Sequence, residues 1–446
     1  MFNRSILRQL DQWALKKDRK PLVLRGARQV GKTSVVNLFS KSFDQYVYLN
    51  LDRPEDKALF EHNYPFQILL DAIFFSKNKE KNTGKTLVFI DEIQNSPRAV
   101  SLLRYFHEDS PELFVIAAGS LLESLIDNQI SFPVGRVEYL AVRPCSFEEF
   151  LMATGEEKAL DLLGQNPVPE FAHEKLQGLF HQYAIIGGMP EIIKNFSENR
   201  DLVKLKTIYD GLIASYLDDV EKYARNATMT HVIRHIITTA FSVAGQRIKF
   251  EGFANSNYRS REIGDAFRTL EKAMLLQLVY PAVNAGLPMD IKYRTPKLQL
   301  LDTGLMNHMA GIQGELLGSK SIEDAYRGKV AEHIAGQEII SSETSVLSRL
   351  NYWLRDIRNS QAEVDFILPY KNLIIPVEVK SGTSGKLRSL QLFMDQASHP
   401  WAIRVFSGKM QVEELRTVSG KRISLISIPF YLTGRIAKVL DSIIKQ

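Results

Sequence analysis

Cysteine is almost absent. Cys145 stands alone in 446 residues, so no internal disulfide can form, which fits a reducing cytoplasm. Long apolar runs are missing too: no segment approaches the roughly 20 residues that span a bilayer as a helix. Between Met1 and Lys20, the charges Arg4, Arg8, Asp11, Lys16 and Asp18 alternate with Ile6, Leu7, Leu10 and Trp13. That pattern reads as an amphipathic helix and not as the apolar stretch of a signal peptide. A cytoplasmic protein with no membrane partner is expected. Internal repeats and low-complexity segments are absent. His107, His181, His231 and His235 lack metal-ligand spacing; His231 and His235 are four apart, but no third ligand accompanies them, so they read as structural.

Charge of one sign is also scarce, the net value being +5, too mild to imply a nucleic-acid partner. Its distribution is less even. From Arg225 to Lys297 there are 11 Lys and Arg against 5 Asp and Glu, a local +6.

What is present is ordinary globular material, 45% hydrophobic and 24% charged, and long enough for two to four domains. The first 150 residues alternate strand-like runs (Leu22 to Leu24, Tyr46 to Leu51, Leu87 to Ile90, Phe114 to Ala118) with helical stretches such as Thr33 to Phe39 and Ala99 to Phe106. Strands separated by helices predict a parallel sheet covered on both faces. Near Val142 to Phe150 the pattern turns helical and continues to Ile237, broken at Gly187-Gly188-Met189-Pro190. The last 120 residues return to α/β, with a helix near Arg327 to Ile340 and strands at Asn351 to Arg355, Glu363 to Leu368 and Leu373 to Lys380.

The run Gly26-Ala27-Arg28-Gln29-Val30-Gly31-Lys32-Thr33 follows a strand and precedes a helix, matching G-x-x-x-x-G-K-T. Its glycines let backbone N–H groups and the helix N-terminus wrap around phosphate. Lys32 would reach the β and γ phosphates of ATP, and the Thr33 hydroxyl would ligate Mg2+. The strand Leu87 to Ile90 ends in Asp91, placed for the magnesium shell, and Glu92, a candidate base for the attacking water. Ser120, after the strand Phe114 to Ala118, is a candidate γ-phosphate sensor or simply a helix cap. Arg136 could act as an arginine finger, in cis or from a neighbouring subunit of a homo-oligomer, or be an ordinary salt-bridged surface arginine.

These motifs occur in order: Arg25 to Thr33, Phe89 to Gln94, Ala118-Gly119-Ser120, Gly135-Arg136 and Pro144 to Phe150. Together they resemble a family of bacterial and archaeal AAA-like ATPases. In that family the core is followed by a region long labelled a domain of unknown function. Asp302-Thr303-Gly304-Leu305, Val364-Asp365-Phe366 and Pro376 to Ser381 resemble that region. The resemblance implies ATP binding and hydrolysis; it supplies no agreed substrate.

In the basic segment, Ser260 is the expected N-cap of a helix to about Leu276, with Ile263, Phe267, Leu270 and Met274 on one face. Arg261, Asp265, Arg268 and Lys272 lie on another. A preceding helix and two following strands, Leu276 to Val283 and Lys297 to Leu301, suggest a winged helix-turn-helix. It would offer Arg259, Arg261, Arg268 and Lys272 to double-stranded DNA, or else be a packing module with a solvated charged face.

Further on, Glu363 to Leu368, a turn near Tyr370-Lys371-Asn372, and Leu373 to Lys380 read as a β-hairpin. Alternation puts Glu378 and Lys380 on one face, within reach of Asp365. Charges on so apolar a strand are costly unless they serve something. Asp365 and Glu378 would bind a hard cation such as Mg2+, with Lys380 positioning the attacking water. The spacing resembles the D…E-x-K signature of restriction-endonuclease-like proteins, and Glu332 resembles that fold's additional helical acid. A salt-bridged structural hairpin is the alternative.

The expected class is therefore α/β: a P-loop NTPase core with parallel sheet (1–150), a helical extension (151–225), a winged helix-turn-helix (226–305) and a small restriction-endonuclease-like domain (306–446). The leading expectation is an ATPase acting on DNA, with nucleotide state controlling a nuclease-like metal site. The alternatives are a non-cleaving nucleotide switch and a regulator that binds DNA through the winged helix alone.

Overall fold

The structure, a computed structural model, describes residues 2–81, 83–120, 133, 135–314, 329–356, 362–381 and 387–444. Arg327 and Gly328, expected to begin a helix, and Val134 lie outside the described residues. The chain forms two compact units. One is Met1–Arg143 with Lys272–Met274 and Thr344–Leu347; the other is Pro144–Glu271, Leu275–Glu343 and Ser348–Gln446.

The first unit runs α1 (Leu7–Ala14), β1 (Leu22–Arg25), α2 (Lys32–Phe39), β2 (Gln45–Asn50), α3 (Pro54–Glu61), α4 (Phe66–Ser76), β3 (Thr86–Asp91), α5 (Pro97–Glu108), β4 (Phe114–Gly119) and β5 (Glu138–Ala141). Its strands form one parallel sheet in the order β2-β3-β4-β1-β5. Helical crossovers leave both faces covered, which is why the strands read as near-continuous apolar runs. On one face Val23, Val88 and Ile90 pack with Phe60, Ile73 and Leu103 of α3, α4 and α5. On the other, Trp13, Phe39, Phe43 and Phe114 make a chain of tilted and edge-on ring contacts. Strand β5 was not foreseen: it is a short edge strand, Glu138 followed by Tyr139-Leu140-Ala141, half-buried except at Ala141.

In the second unit a helical region comes first: α6 (Phe147–Ala153), α7 (Glu157–Gly164), α8 (His173–Ile186), α9 (Pro190–Asn199), α10 (Leu202–Asp218), α11 (Val220–Tyr223), α12 (Ala227–Thr239) and α13 (Ser260–Lys272). Then follow β6 (Leu276–Ala282), β7 (Lys297–Leu300), α14 (Thr303–Met309), α15 (Lys329–Ser341), β8 (Asn351–Leu354), β9 (Glu363–Tyr370), β10 (Leu373–Val379), α16 (Arg388–Gln396), β11 (Trp401–Phe406), β12 (Gln411–Arg416), β13 (Arg422–Pro429) and α17 (Ile436–Ile443). The strands make one mixed sheet in the order β12-β13-β11-β10-β9-β8-β6-β7. Because β6 pairs with β8 in parallel, the strands of the basic segment belong to the same sheet as the C-terminal strands. The sheet therefore crosses the expected boundary at residues 305 and 306.

Two details of α13 differ from expectation. The Arg259 backbone N–H is capped by Glu262, and the Ile263 N–H bonds back to the Arg259 carbonyl, so Arg259, not Ser260, is the N-cap. The helix also stops at Lys272, and Met274, with φ 59°, lies beyond it.

A fully buried polar node ties the helical region of this unit to its sheet. The Tyr183 hydroxyl of α8 lies 2.8 Å from the Cys145 carbonyl and 2.7 Å from Glu338 of α15, its one proton shared between the two acceptors. Gln337 donates to Tyr183 and accepts from the Thr303 N–H, while Asp302 accepts from the Gly188 and Leu305 N–H groups. His333 Nε2 accepts from the Leu300 N–H, so its proton sits on Nδ1 and is donated to Thr303. The Gly187-Gly188 break and the Asp302-Thr303-Gly304 motif thus meet here.

Candidate functional site

The loop after β1 begins at Gly26, where a Cβ would lie 2.3 Å from the Val142 carbonyl oxygen. Gln29 and Gly31 take left-handed conformations, φ 64° and 93°, and Gly31 leads straight into α2. This curls Gly26 to Thr33 into a cradle at the C-terminal edge of the sheet. Lys32 is buried; its ammonium donates to the Gly26 and Ala27 carbonyls, both at 2.9 Å, and an ammonium has one further N–H for a phosphate oxygen. Burial lowers the Lys32 pKa to about 8, against the pull of Glu92 and Asp91.

Asp91 closes β3, every residue of which is buried. Its Oδ2 accepts from Thr33 Oγ1 at 2.7 Å, so the two expected magnesium ligands are already in contact. The same oxygen accepts from Tyr48 of β2 at 3.3 Å, and Oδ1 accepts from the Glu92 N–H. Burial pushes the Asp91 carboxyl above its ordinary range, partly offset by Thr33. A hydroxyl and a carboxylate are the hard oxygen donors Mg2+ prefers, and they fit that ion. Glu92 leaves the strand in a left-handed conformation, φ 51°, with its carboxylate held by the Gln94 amide. Tyr48, stacked on Phe89 at 5.5 Å, and Gln94 were not singled out from sequence. Their roles arise from strand pairing and a tight turn, not from a motif.

Ser120 follows β4, which lies between β3 and β1, so it stands between Asp91 and the cradle. Its hydroxyl is buried without a hydrogen-bond partner among the described residues. Arg136 lies elsewhere. β5 runs parallel to β1 with Glu138 opposite Leu22, so Arg136 sits where β1 begins, at the edge away from Gly26. There it pairs with Glu108 at 2.6 Å. The fold thus does not bring Arg136 to the nucleotide site of its own chain.

In the second unit, β9 and β10 pair antiparallel, as the hairpin reading requires. Asp365 Oδ2 accepts from the Val379 N–H at 2.8 Å, and Lys380 donates to Glu378 at 2.6 Å. Glu332 of α15 faces the same cluster. Burial first, then the Asp365 carboxylate, raise both Glu332 and Glu378 above the usual range. One member was not foreseen. Lys297 of β7 reaches Glu363 at 3.1 Å, Asp365 at 3.5 Å and Glu332 at 3.6 Å. Burial works against its charge, yet the three carboxylates hold its pKa above the ordinary value. Among the described residues, no group of three or more His, Cys, Asp or Glu is arranged to hold a metal ion. With an ammonium already among the oxygens, this cluster does not fit a divalent ion as it stands.

On α13 the expected face is buried through Ile263, Phe267 and Leu270, with Phe267 against Phe250 and Phe253. Arg259, Arg261, Arg268 and Lys272 are exposed. Arg268 is paired with Asp265 at 2.5 Å.

Residues 18–151 match the family described as an AAA domain. Residues 177–316 match a domain of unknown function, DUF8612, and residues 327–431 a second, DUF4143. No curated protein matches the chain. Among solved structures, the chain is similar to the Walker-type ATPase of Pyrococcus abyssi, with 16% identity and a TM-score of 0.44 over 70% of this chain and 96% of that one. It is also similar to C. elegans PCH-2 (16% identity, TM-score 0.26, 43% of this chain and 58% of that one). A third is Thermotoga maritima RuvB (13%, 0.26, 64% and 88%). The first unit is an AAA-family P-loop ATPase domain. A helical region and a mixed-sheet domain follow it. Among the described residues, no helix is long and apolar enough to cross a membrane.

Proposed function

We propose that this protein binds MgATP in the Gly26 to Thr33 cradle, hydrolyses it, and uses its nucleotide state to control a C-terminal module that engages DNA without cutting it. The observation that carries the nucleotide half is the 2.7 Å hydrogen bond from Thr33 to Asp91, which joins the two magnesium ligands before any ion arrives. Magnesium bound there would neutralise phosphate charge. The chain's own groups do the rest. Loop N–H groups and Lys32 orient the phosphates, Ser120 stands where the γ phosphate would be sensed, and Glu92, once free of Gln94, takes the proton of the attacking water.

The DNA half rests on the exposed arginines of α13, which α12 precedes and the antiparallel pair β6 and β7 follows at the edge of the C-terminal sheet. The sequence α15, β8, β9, β10, α16, β11, with β10 and β11 parallel across a helix, supports a restriction-endonuclease-like reading of the following domain. The lysine among its acids favours engagement over cleavage. A second reading, metal-dependent cleavage, is favoured by the convergence of Glu332, Asp365, Glu378 and Lys380.

Purified protein is incubated with double-stranded DNA or RNA and Mg2+ or Mn2+, with and without ATP. The expected result is ATP hydrolysis lost in Lys32→Ala and DNA retention that changes with nucleotide, with the DNA intact. Cutting by the wild type but not by Asp365→Ala would establish the second reading instead. ATP binding unchanged by Lys32→Ala would refute the cradle.

A further inference from the structure

We infer that Lys297 is the resident cation of the C-terminal acidic site, a tethered ammonium that keeps divalent ions out. This rests on the non-cleaving reading above and gives it a physical cause.

Alternation along β7 places Lys297 and Gln299 on one face, toward α15, where Gln299 donates to the His333 carbonyl at 3.0 Å. Lys297 is thereby anchored under the helix that carries Glu332. Its side chain is 8% exposed and lies within 3.6 Å of three carboxylates, from α15 and β9. The cluster holds four acids, Glu332, Glu363, Asp365 and Glu378. Against them stand Lys297, Lys380 on Glu378, and Arg247 on Glu363. Fully ionised, the four acids would outnumber the three cations by one; without Lys297 they would outnumber two cations by two. Buried charge tolerates such an excess poorly.

A second observation points to a cation independently. Glu378 Oε1 takes the Lys380 ammonium, but its Oε2 is buried with no hydrogen-bond partner among the described residues. An orphan carboxylate oxygen beside Asp365 and Glu332 is a donor for which the lysines leave room. Carboxylate oxygens from two strands and a helix are the donor type a divalent ion takes; here they are arranged around an ammonium and not around an ion, and Lys297 supplies the compensating charge. A lysine is suited to this, being a compact point charge on a flexible stem with three N–H donors for the surrounding carboxylates.

The test is Mn2+ titration of the full chain without nucleotide, followed by electron paramagnetic resonance. Wild type and Lys297→Arg should show no tight site. Lys297→Met should take up one Mn2+ per chain, at least roughly tenfold more tightly than wild type, and adding Asp365→Asn should abolish that gain. Should Lys297→Met fail to fold, Lys297→Met with Glu363→Gln removes the pair together and should show the same uptake. Uptake by wild type as tight as by Lys297→Met overturns the inference, and so does absence of uptake in both Met variants. The non-cleaving reading fails on a different result, Asp365-dependent cutting of DNA, so the two failures are distinguishable.

Discussion

Lys32 carries its charge in a buried place, and that has a pH consequence. Its pKa in the free protein is lowered to about 8, chiefly by burial. Phosphate needs the protonated form, so above that pH each binding event must first take up a proton. The ATP dissociation constant should therefore rise as pH increases through 8, by up to about tenfold per unit. Titrations from pH 7 to 9.5 would check this. Lys32→Arg, which stays charged, should bind more weakly but without the trend. Glu92 acts at a different step. Glu92→Gln keeps the shape and the contact with Gln94 but cannot accept a proton. Turnover should fall by about 10²- to 10⁴-fold while ATP affinity hardly moves. Single-turnover hydrolysis beside equilibrium binding separates the two, and a matched loss of both would mean that Glu92 positions nucleotide instead.

At the scale of elements, α15 is the pivot, because it turns His333, Gln337 and Glu338 into a core that Tyr183 and Asp302 complete. Burial raises Glu338 from the ordinary 4.5 to about 8, so the folded chain keeps a proton that the unfolded chain releases. Its contribution to stability is whole below 4.5 and lost as pH climbs toward 8. Glu338→Gln, with the same shape and no proton to lose, should remove on the order of 1–3 kcal/mol of that decline. Urea midpoints at pH 5 and 8.5 for both proteins would show it. Close packing of α14 gives a sterner test: a Cβ on Gly304 would sit 2.1 Å from the Ile186 carbonyl, and backbone cannot yield, so Gly304→Ala should cost about 2–3 kcal/mol. Gly178, on an exposed stretch of α8 with nothing within 4 Å, should respond oppositely. Gly178→Ala is expected to stabilise by about 0.5–1 kcal/mol in thermal unfolding. Local pattern explains what the sequence disclosed here. The phosphate cradle, the β3 carboxylates and the Glu378–Lys380 spacing are each written within a few consecutive residues. The roles of Lys297 and Tyr48 were illegible because strand pairing across the chain places them, and no short window records pairing.

For the whole molecule, the consequential fact is that β6 and β7 complete the C-terminal sheet. Read linearly, residues 276 to 301 follow two helices and resemble the wing of a separate module. In the structure, Tyr280, Pro281 and Ala282 pair with Asn351, Tyr352 and Trp353, and Ala282 joins the core formed with Trp353, Val364 and Phe393. Arg136 shows the same limit in the first unit. Its sequence position after β4 suits a finger, but parallel pairing of β5 with β1 fixes it at the far edge, where it pairs with Glu108. Sheet continuity makes a prediction about dissection. A fragment starting at residue 306 would expose the edge of β8, strip Trp353 of part of its packing, and leave Glu332, Glu363 and Asp365 without Lys297. Unpaired edges favour aggregation, and uncompensated buried acids favour unfolding. That fragment should be insoluble or lack a cooperative transition, whereas one starting at residue 144 retains the eight-stranded sheet and should melt cooperatively. Circular dichroism melts of the two fragments decide the matter, and a cooperative melt from the shorter one would mean that β6 and β7 dock onto a sheet that stands without them.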